Sequence, residues 1–231
     1  MKKYTHLFFD LDHTLWDYDI NTREANKEIY ELFNFSKWSF FTFDDFMKIF
    51  HEVNNYLWDK FNHGRIEKIE LRNSRFNLIL GKLGVNEDDI PAGIDEKYLE
   101  IAPIKPNVMP FTYEILDYLK PNYHLHIISN GFDDVQHAKL KASKIHHYFD
   151  KIVTSDSSGY RKPQKGIFDY AMSEVNATTQ NSLMIGDNIE TDIIGAQNAV
   201  MDHVFFNPKK IKHDLKVTFE IDSLEQIRNI L

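Results

Sequence analysis

From residue 111 onward the chain alternates between helical and extended patterns, and no other feature limits its possible folds so strongly. "FTYEILDYLK" reads as a helix, "YHLHIISN" as a strand, "DDVQHAKLKAS" as a helix and "DKIVTS" as a strand. "QKGIFDYAMSEV", "SLMIGD", "TDIIGAQNA" and "HVFFN" continue the alternation, followed by a short edge strand in "VTFEID" and a closing helix in "SLEQIRNIL". Strands separated by helices predict parallel pairing and a doubly wound α/β sheet. "THLFFDLD" supplies a further strand near the N-terminus, over residues 5–10.

Between that first strand and the alternating region the pattern is helical, over residues 23–84. Phe43, Phe46, Met47, Phe50, Val53, Leu57 and Phe61 follow the spacing of one helix face, and Ile66, Ile69, Phe76, Leu80 and Leu83 roughly continue it. Pro103, Pro106 and Pro110 in "IAPIKPNVMP" then mark a linker. The helical block therefore predicts a second, smaller domain inserted after strand 1.

At 231 residues the chain can bury a sizeable core without disulfides, and it contains no cysteine with which to make one. The absence of cysteine also removes thiolate metal sites and fits a reducing compartment, so the cytoplasm is the expected location. No segment approaches the roughly 18 apolar residues of a membrane span, and the N-terminal apolar run is interrupted by acids after a few residues. A net charge of -8 disfavours long nucleic acids while leaving a small phosphorylated metabolite open as a partner.

In open parallel sheets ligands bind beyond the carboxyl ends of the strands. Polar residues gather there in this sequence: Asp10 with Asp12 after strand 1, Ser129-Asn130-Gly131 after "HLHIIS", Arg161 and Lys162 after "IVTS", and Asp187 with Asp192 after "SLMIG". One acid at a strand end is usually a solvated terminus or a helix cap. Four strand ends contributing acids, a hydroxyl and a lysine predict a site. Carboxylates about 4 Å apart repel by roughly 4 kcal/mol at an effective dielectric near 20, so the acids call for a cation. An all-oxygen donor set suits a hard ion, and few protein carboxylates suit Mg²⁺ better than Ca²⁺.

"DLDHTLWD", "ISNG", "RKP" and "GDNIETD" resemble the four motifs of the haloacid dehalogenase-like hydrolases, in the order and positions that superfamily uses. The resemblance covers the whole chain and implies a Rossmann-like core of residues 1–17 and 105–231 with an all-helical cap of residues 18–104 that closes during catalysis. It implies Asp10 as the nucleophile that becomes an aspartyl phosphate, and Asp12 as the group that gives a proton to the leaving alcohol and later takes one from water. Ser129 and the backbone around Asn130 would bind the phosphate, and Lys162 would neutralise nucleophile and phosphate. Mg²⁺ would be held by Asp10, Asp187 and the backbone carbonyl of Asp12, with Asp192 supporting from further out.

Dehalogenases of the superfamily lack the second acid, so Asp12 points to a phosphatase. "DLDHTLWD" most resembles the nucleoside monophosphate phosphatases, which implies a Mg²⁺-dependent 5'-nucleotidase. Sugar-phosphate or phosphoglycolate phosphatase, or phosphomutase, is the alternative within the class; a catalytically idle binding protein is the alternative outside it. The chain departs from the commoner pattern at His13, where Gly is usual, and at Val200-Met201, where Gly-Met is usual. His124 and His126 share a strand face without a carboxylate at ligand spacing and read as structural, while the spacing of Phe43, Phe46 and Phe50 reads as cap core.

Overall fold

The structure is a computed structural model that describes residues 3–231. Its elements run in the order β1 (His6–Phe9), α1 (Tyr18–Leu32), α2 (Phe43–Asn62), α3 (Lys68–Asn73), α4 (Arg75–Lys82), α5 (Ile94–Ile101) and α6 (Thr112–Leu119). These are followed by β2 (His124–Ser129), α7 (Asp133–Ala142), β3 (Lys151–Thr154), α8 (Ser155–Ser158), α9 (Lys165–Glu174) and β4 (Ser182–Gly186). The last elements are α10 (Ile194–Asn198), β5 (Asp202–Phe206) and β6 (Phe219–Ile221). Two compact units result, one of residues up to Tyr18 with Pro106–Leu231, the other Asp19–Lys105.

In the first unit six strands form one sheet in the order β3-β2-β1-β4-β5-β6, and every neighbouring pair is parallel. This is a doubly wound, Rossmann-like order, with β1 flanked by β2 on one side and β4 on the other. The strands are apolar on both faces because helices cover both. Leu7, Phe9, Leu125, Ile127, Leu183 and Ile185 pack with Ile115, Leu116 and Leu119 of α6 on one face. Phe8, Ile128, Val153 and Met184 pack with Ile167, Phe168 and Ala171 of α9 on the other. Ligands in such sheets bind outside the carboxyl ends at the point where the winding reverses, here between β1 and β4.

The second unit is helical throughout. Thr42 starts α2 with a reciprocal cap: its Oγ1 accepts from the Asp45 N–H at 3.2 Å, and its own N–H donates to Asp45 Oδ2 at 2.9 Å. Phe46, Met47, Phe50, Val53, Leu57 and Phe61 are buried along one face of α2, while Phe43 is half-buried. The aromatic spacing at Phe43, Phe46 and Phe50 thus builds core.

Three local readings of the sequence need correction. Strand 1 is shorter than residues 5–10, because Asp10 leaves the ladder after its N–H donates to Ile185 O at 2.9 Å. The helix expected over residues 191–199 opens as a π turn, Ile189–Ile193, before α10; the Asn188 side chain caps it by accepting from the N–H groups of Glu190 and Thr191. The closing helix is 3₁₀, Leu224–Asn229. Val200, at the site of the Gly-Met departure, has φ 55, a left-handed conformation that strains a β-branched residue, and it is 76% exposed. No helix among the described residues is long and apolar enough to cross a membrane.

Candidate active site

Asp10 sits one residue beyond β1 and is almost buried. The chain then turns back on itself: Leu15 and Trp16 N–H groups both donate to Leu11 O, at 2.9 and 2.8 Å, and the His13 N–H donates to Trp16 O at 2.9 Å. This turn needs φ 64 at His13, which explains why glycine suits the position, since a side chain there is strained. The His13 ring lies 4.5 Å from that of Tyr18, centroid to centroid.

Lys162 is the cation of the site. It is 2% exposed, and its Nζ donates to Asp10 Oδ1 at 2.5 Å and to Asp192 Oδ1 at 2.6 Å. Burial alone would lower its pKa, but the two adjacent carboxylates outweigh burial and hold the ammonium above its ordinary value. Asn130 fixes the backbone that carries it: Asn130 Oδ1 accepts from the Lys162 N–H at 2.6 Å and Asn130 Nδ2 donates to Lys162 O at 2.9 Å.

Asp187 follows β4 and accepts from Thr14 Oγ1 at 3.2 Å. Asp192 is fully buried, with its Oδ2 accepting from the Asn188 N–H at 3.0 Å. Its approach to the end of β4 depends on Gly186, where a Cβ would lie 2.3 Å from Asp192 Oδ2. Each of Asp10, Asp187 and Asp192 offers a carboxylate oxygen, and these atoms lie within 4.8 Å of one another. Three carboxylates against one ammonium leave an excess of negative charge. The site registers it: burial, relieved in part by Lys162 and reinforced by Asp192, pushes Asp10 up to about 7. Burial and the charges of Asp192 and Asp10 likewise raise Asp187 well above the carboxylate range. An oxygen-only, over-negative, buried cluster fits a hard divalent cation such as Mg²⁺.

Asp12 has different company. Lys139 Nζ donates to its Oδ1 at 2.5 Å and Gln136 Nε2 to its Oδ2 at 3.0 Å. Burial would raise the Asp12 pKa, yet the charge and hydrogen bond of Lys139, with Gln136, hold it below the usual range. Gln136 Nε2 also donates to Ser129 Oγ at 2.6 Å, and the Gly131 N–H to the same oxygen at 3.1 Å. Among the sequence-predicted residues, the structure thus groups Asp10, Asp187, Asp192 and Lys162 around one buried centre, and links Asp12 to Ser129. Arg161, adjacent in sequence, is half-buried and its N–H bonds Gln164 Oε1 at 3.2 Å.

Gln136, Lys139 and Thr14 were missed by sequence reasoning. Gln136 and Lys139 lie three apart on α7 and so share a helix face, and both are buried.

The histidines also differ from expectation. Asp150, distant in sequence, gives His124 a carboxylate partner, with His124 Nδ1 2.9 Å from Asp150 Oδ2. Strand pairing creates that proximity, so local spacing could not show it.

The family model for haloacid dehalogenase-like hydrolases matches residues 4–199. The chain is 28% identical to the HAD-hydrolase YfnB of Bacillus subtilis (strain 168), over 100% of this chain and 97% of that protein. A crystal structure of YfnB bound to magnesium, described as revealing interdomain movement, superposes with a TM-score of 0.88 at 26% identity, covering 99% of each chain. The pyrimidine 5'-nucleotidase YjjG of Escherichia coli (strain K12) is 28% identical over 99% of this chain and 98% of its own. The glyceraldehyde 3-phosphate phosphatase of Methanothermobacter thermautotrophicus is 36% identical over 52% of this chain and 56% of its own. With its motifs at the carboxyl ends of a 3-2-1-4-5-6 sheet and a matching family model, the chain belongs to the haloacid dehalogenase-like hydrolases.

Proposed function

We propose that this hydrolase is a Mg²⁺-dependent phosphatase of small phosphate monoesters, with nucleoside 5'-monophosphates as its substrate class. The observation that carries the reading is the pairing of Asp10 with Lys162 inside the Asp10, Asp187 and Asp192 cluster. The similarity to YjjG along both chains supports the nucleotide class.

In this reading an Asp10 carboxylate oxygen attacks phosphorus and the ester P–O bond breaks, giving an aspartyl phosphate and the alcohol. Lys162 offsets the negative charge that Asp10 and the phosphate bring together. Asp12 gives its proton to the leaving oxygen and later takes one from the water that attacks the aspartyl phosphate. Its pairing with Lys139 favours the ionised form, the one that draws a proton from water; to act as acid it must first take up a proton. The Ser129 hydroxyl and the Asn130 backbone hold the phosphoryl oxygens. Mg²⁺, held by Asp10, Asp187 and the Asp12 carbonyl with Asp192 behind them, would stabilise charge on the transferring phosphoryl group.

Asp12 separates this proposal from dehalogenation, where no leaving alcohol needs a proton. The similarity to a glyceraldehyde 3-phosphate phosphatase over about half of each chain supports sugar phosphates as the second substrate class. A panel of nucleotides, sugar phosphates and phosphoglycolate, assayed with and without Mg²⁺, decides. Turnover should appear only with Mg²⁺ and be greatest on nucleoside monophosphates. Inactivity on the whole panel would defeat the phosphatase reading, and preference for a sugar phosphate would replace the substrate class alone.

A further inference from the structure

Both hydrogens of one buried amide are committed to two different parts of the site. Gln136 Nε2 sends one toward Asp12 Oδ2, 3.0 Å away, and the other toward Ser129 Oγ, 2.6 Å away. The side chain is fully buried, and its Oε1 has no hydrogen-bond partner. A buried amide oxygen left alone costs stability, about 1–3 kcal/mol, so the arrangement is not one that packing by itself would select.

The consequence for Ser129 is directional. A serine hydroxyl has two acceptor lone pairs and one hydrogen to give. Gln136 Nε2 and the Gly131 N–H both donate into Ser129 Oγ, which occupies both lone pairs. The hydroxyl hydrogen is then the only capacity left, and it is available to an acceptor such as a phosphoryl oxygen. Without Gln136 the hydroxyl is free to spend its hydrogen elsewhere.

Gly131 is shaped to this contact. A Cβ there would lie 2.2 Å from Gln136 Nε2 and 2.5 Å from its Cδ, so the amide crosses directly over the glycine. The φ of Gly131 lies outside the left-handed region, so close approach, and no backbone requirement, is what excludes a side chain.

We propose that Gln136 is a positioning residue that couples the two halves of the site, fixing Ser129 as a hydrogen-bond donor to phosphate and orienting Asp12 for proton transfer. This rests on the phosphatase reading above and adds to it a residue outside the family motifs quoted from the sequence.

The test is a double-mutant cycle of Gln136→Met and Ser129→Ala, with p-nitrophenyl phosphate and uridine 5'-monophosphate as probes in the presence of Mg²⁺. Gln136→Met alone should lower kcat/KM by about 100-fold, the scale of a misplaced catalytic geometry. Ser129→Ala should then cost far less in the Gln136→Met background than in the wild type. Gln136→Glu, which makes Ser129 donate to the new carboxylate, should be at least as damaging as Gln136→Met. If Gln136→Met does not fold, as judged by its melting curve, Gly131→Ala displaces the amide without removing it and should reproduce the loss. Additive effects in the cycle, or a Gln136→Glu enzyme with wild-type kcat/KM, would overturn the assignment while the phosphatase stands. Wild-type protein inactive on both probes and on the wider panel would overturn the proposed function and this assignment with it.

Discussion

At one end of β1 and β2 the chain gathers carboxylates; at the other it gathers histidines. His6 and His124 are register partners at the amino ends, with rings 5.1 Å apart, and His6 Nδ1 lies 3.1 Å from His126 Nε2. His126 is buried against the Phe8 ring at 4.8 Å. Burial, then the charge of His6, lowers its pKa to about 4. This end relieves crowding by shedding protons, because a neutral imidazole at pH 7 is close to its ordinary state. The carboxyl end has no such exit. A neutral carboxyl at pH 7 lies far from its ordinary state, so Asp10 pushed up to about 7 and Asp187 raised well above the carboxylate range describe a cluster waiting for positive charge. Crowding of like groups is thus structural at one end and chemical at the other.

The two ends of the sheet should differ most at Asp10. Asp10→Asn removes the nucleophile and should lower kcat by about 10⁴-fold or more, whereas His126→Phe at the opposite end should leave turnover within about 3-fold of wild type. Steady-state rates on one nucleoside monophosphate compare the two directly. Asp12→Asn should cost about 10²- to 10⁴-fold on alkyl phosphates and much less on aryl phosphates, whose leaving groups need no proton. Equal losses on both would remove Asp12 as leaving-group acid.

Stability against pH sharpens the contrast, because the signs differ. Asp10 and Asp187 have folded pKa values raised above the ordinary 3.8, so their contribution is fully present below about pH 4 and is lost at higher pH, for Asp10 as pH rises through about 7. Metal-free protein should therefore gain more from Mg²⁺ at pH 8 than at pH 5.5. At 100-fold excess over Kd the gain is about 2.7 kcal/mol, or roughly 5–10 °C in Tm. Asp187→Asn should raise the metal-free Tm at pH 8 and abolish the Mg²⁺ shift. His126 behaves oppositely: its folded pKa is depressed, so stability is lost as pH falls from about 6.5 through about 4. His126→Phe should stabilise the protein by on the order of 1 kcal/mol at pH 5, and change little at pH 8.

The acids and the lysine were legible because each follows a strand end in sequence, and a parallel sheet gathers those ends at one edge. The sheet was legible because extended and helical patterns alternate from residue 111 onward, which predicts parallel pairing. Gln136 and Lys139 were not, since glutamine and lysine on a helix read as solvated until the register of α7 against the Asp12 turn is known. Asp150 beside His124 escaped for a similar reason, being set by the pairing of β2 with β3. His13 was half legible: the departure from glycine showed in sequence, and the φ of 64 that makes it a strained position showed only in the fold.

The central claim is that Asp10 carries the phosphoryl group in a Mg²⁺-dependent reaction. Protein mixed with a nucleoside monophosphate and Mg²⁺, quenched in acid and digested, should yield a phosphorylated peptide containing Asp10, absent without Mg²⁺ and absent in Asp10→Asn. Hydrolysis at near-normal rates by Asp10→Asn, or a phosphoryl group found on another residue, would contradict it.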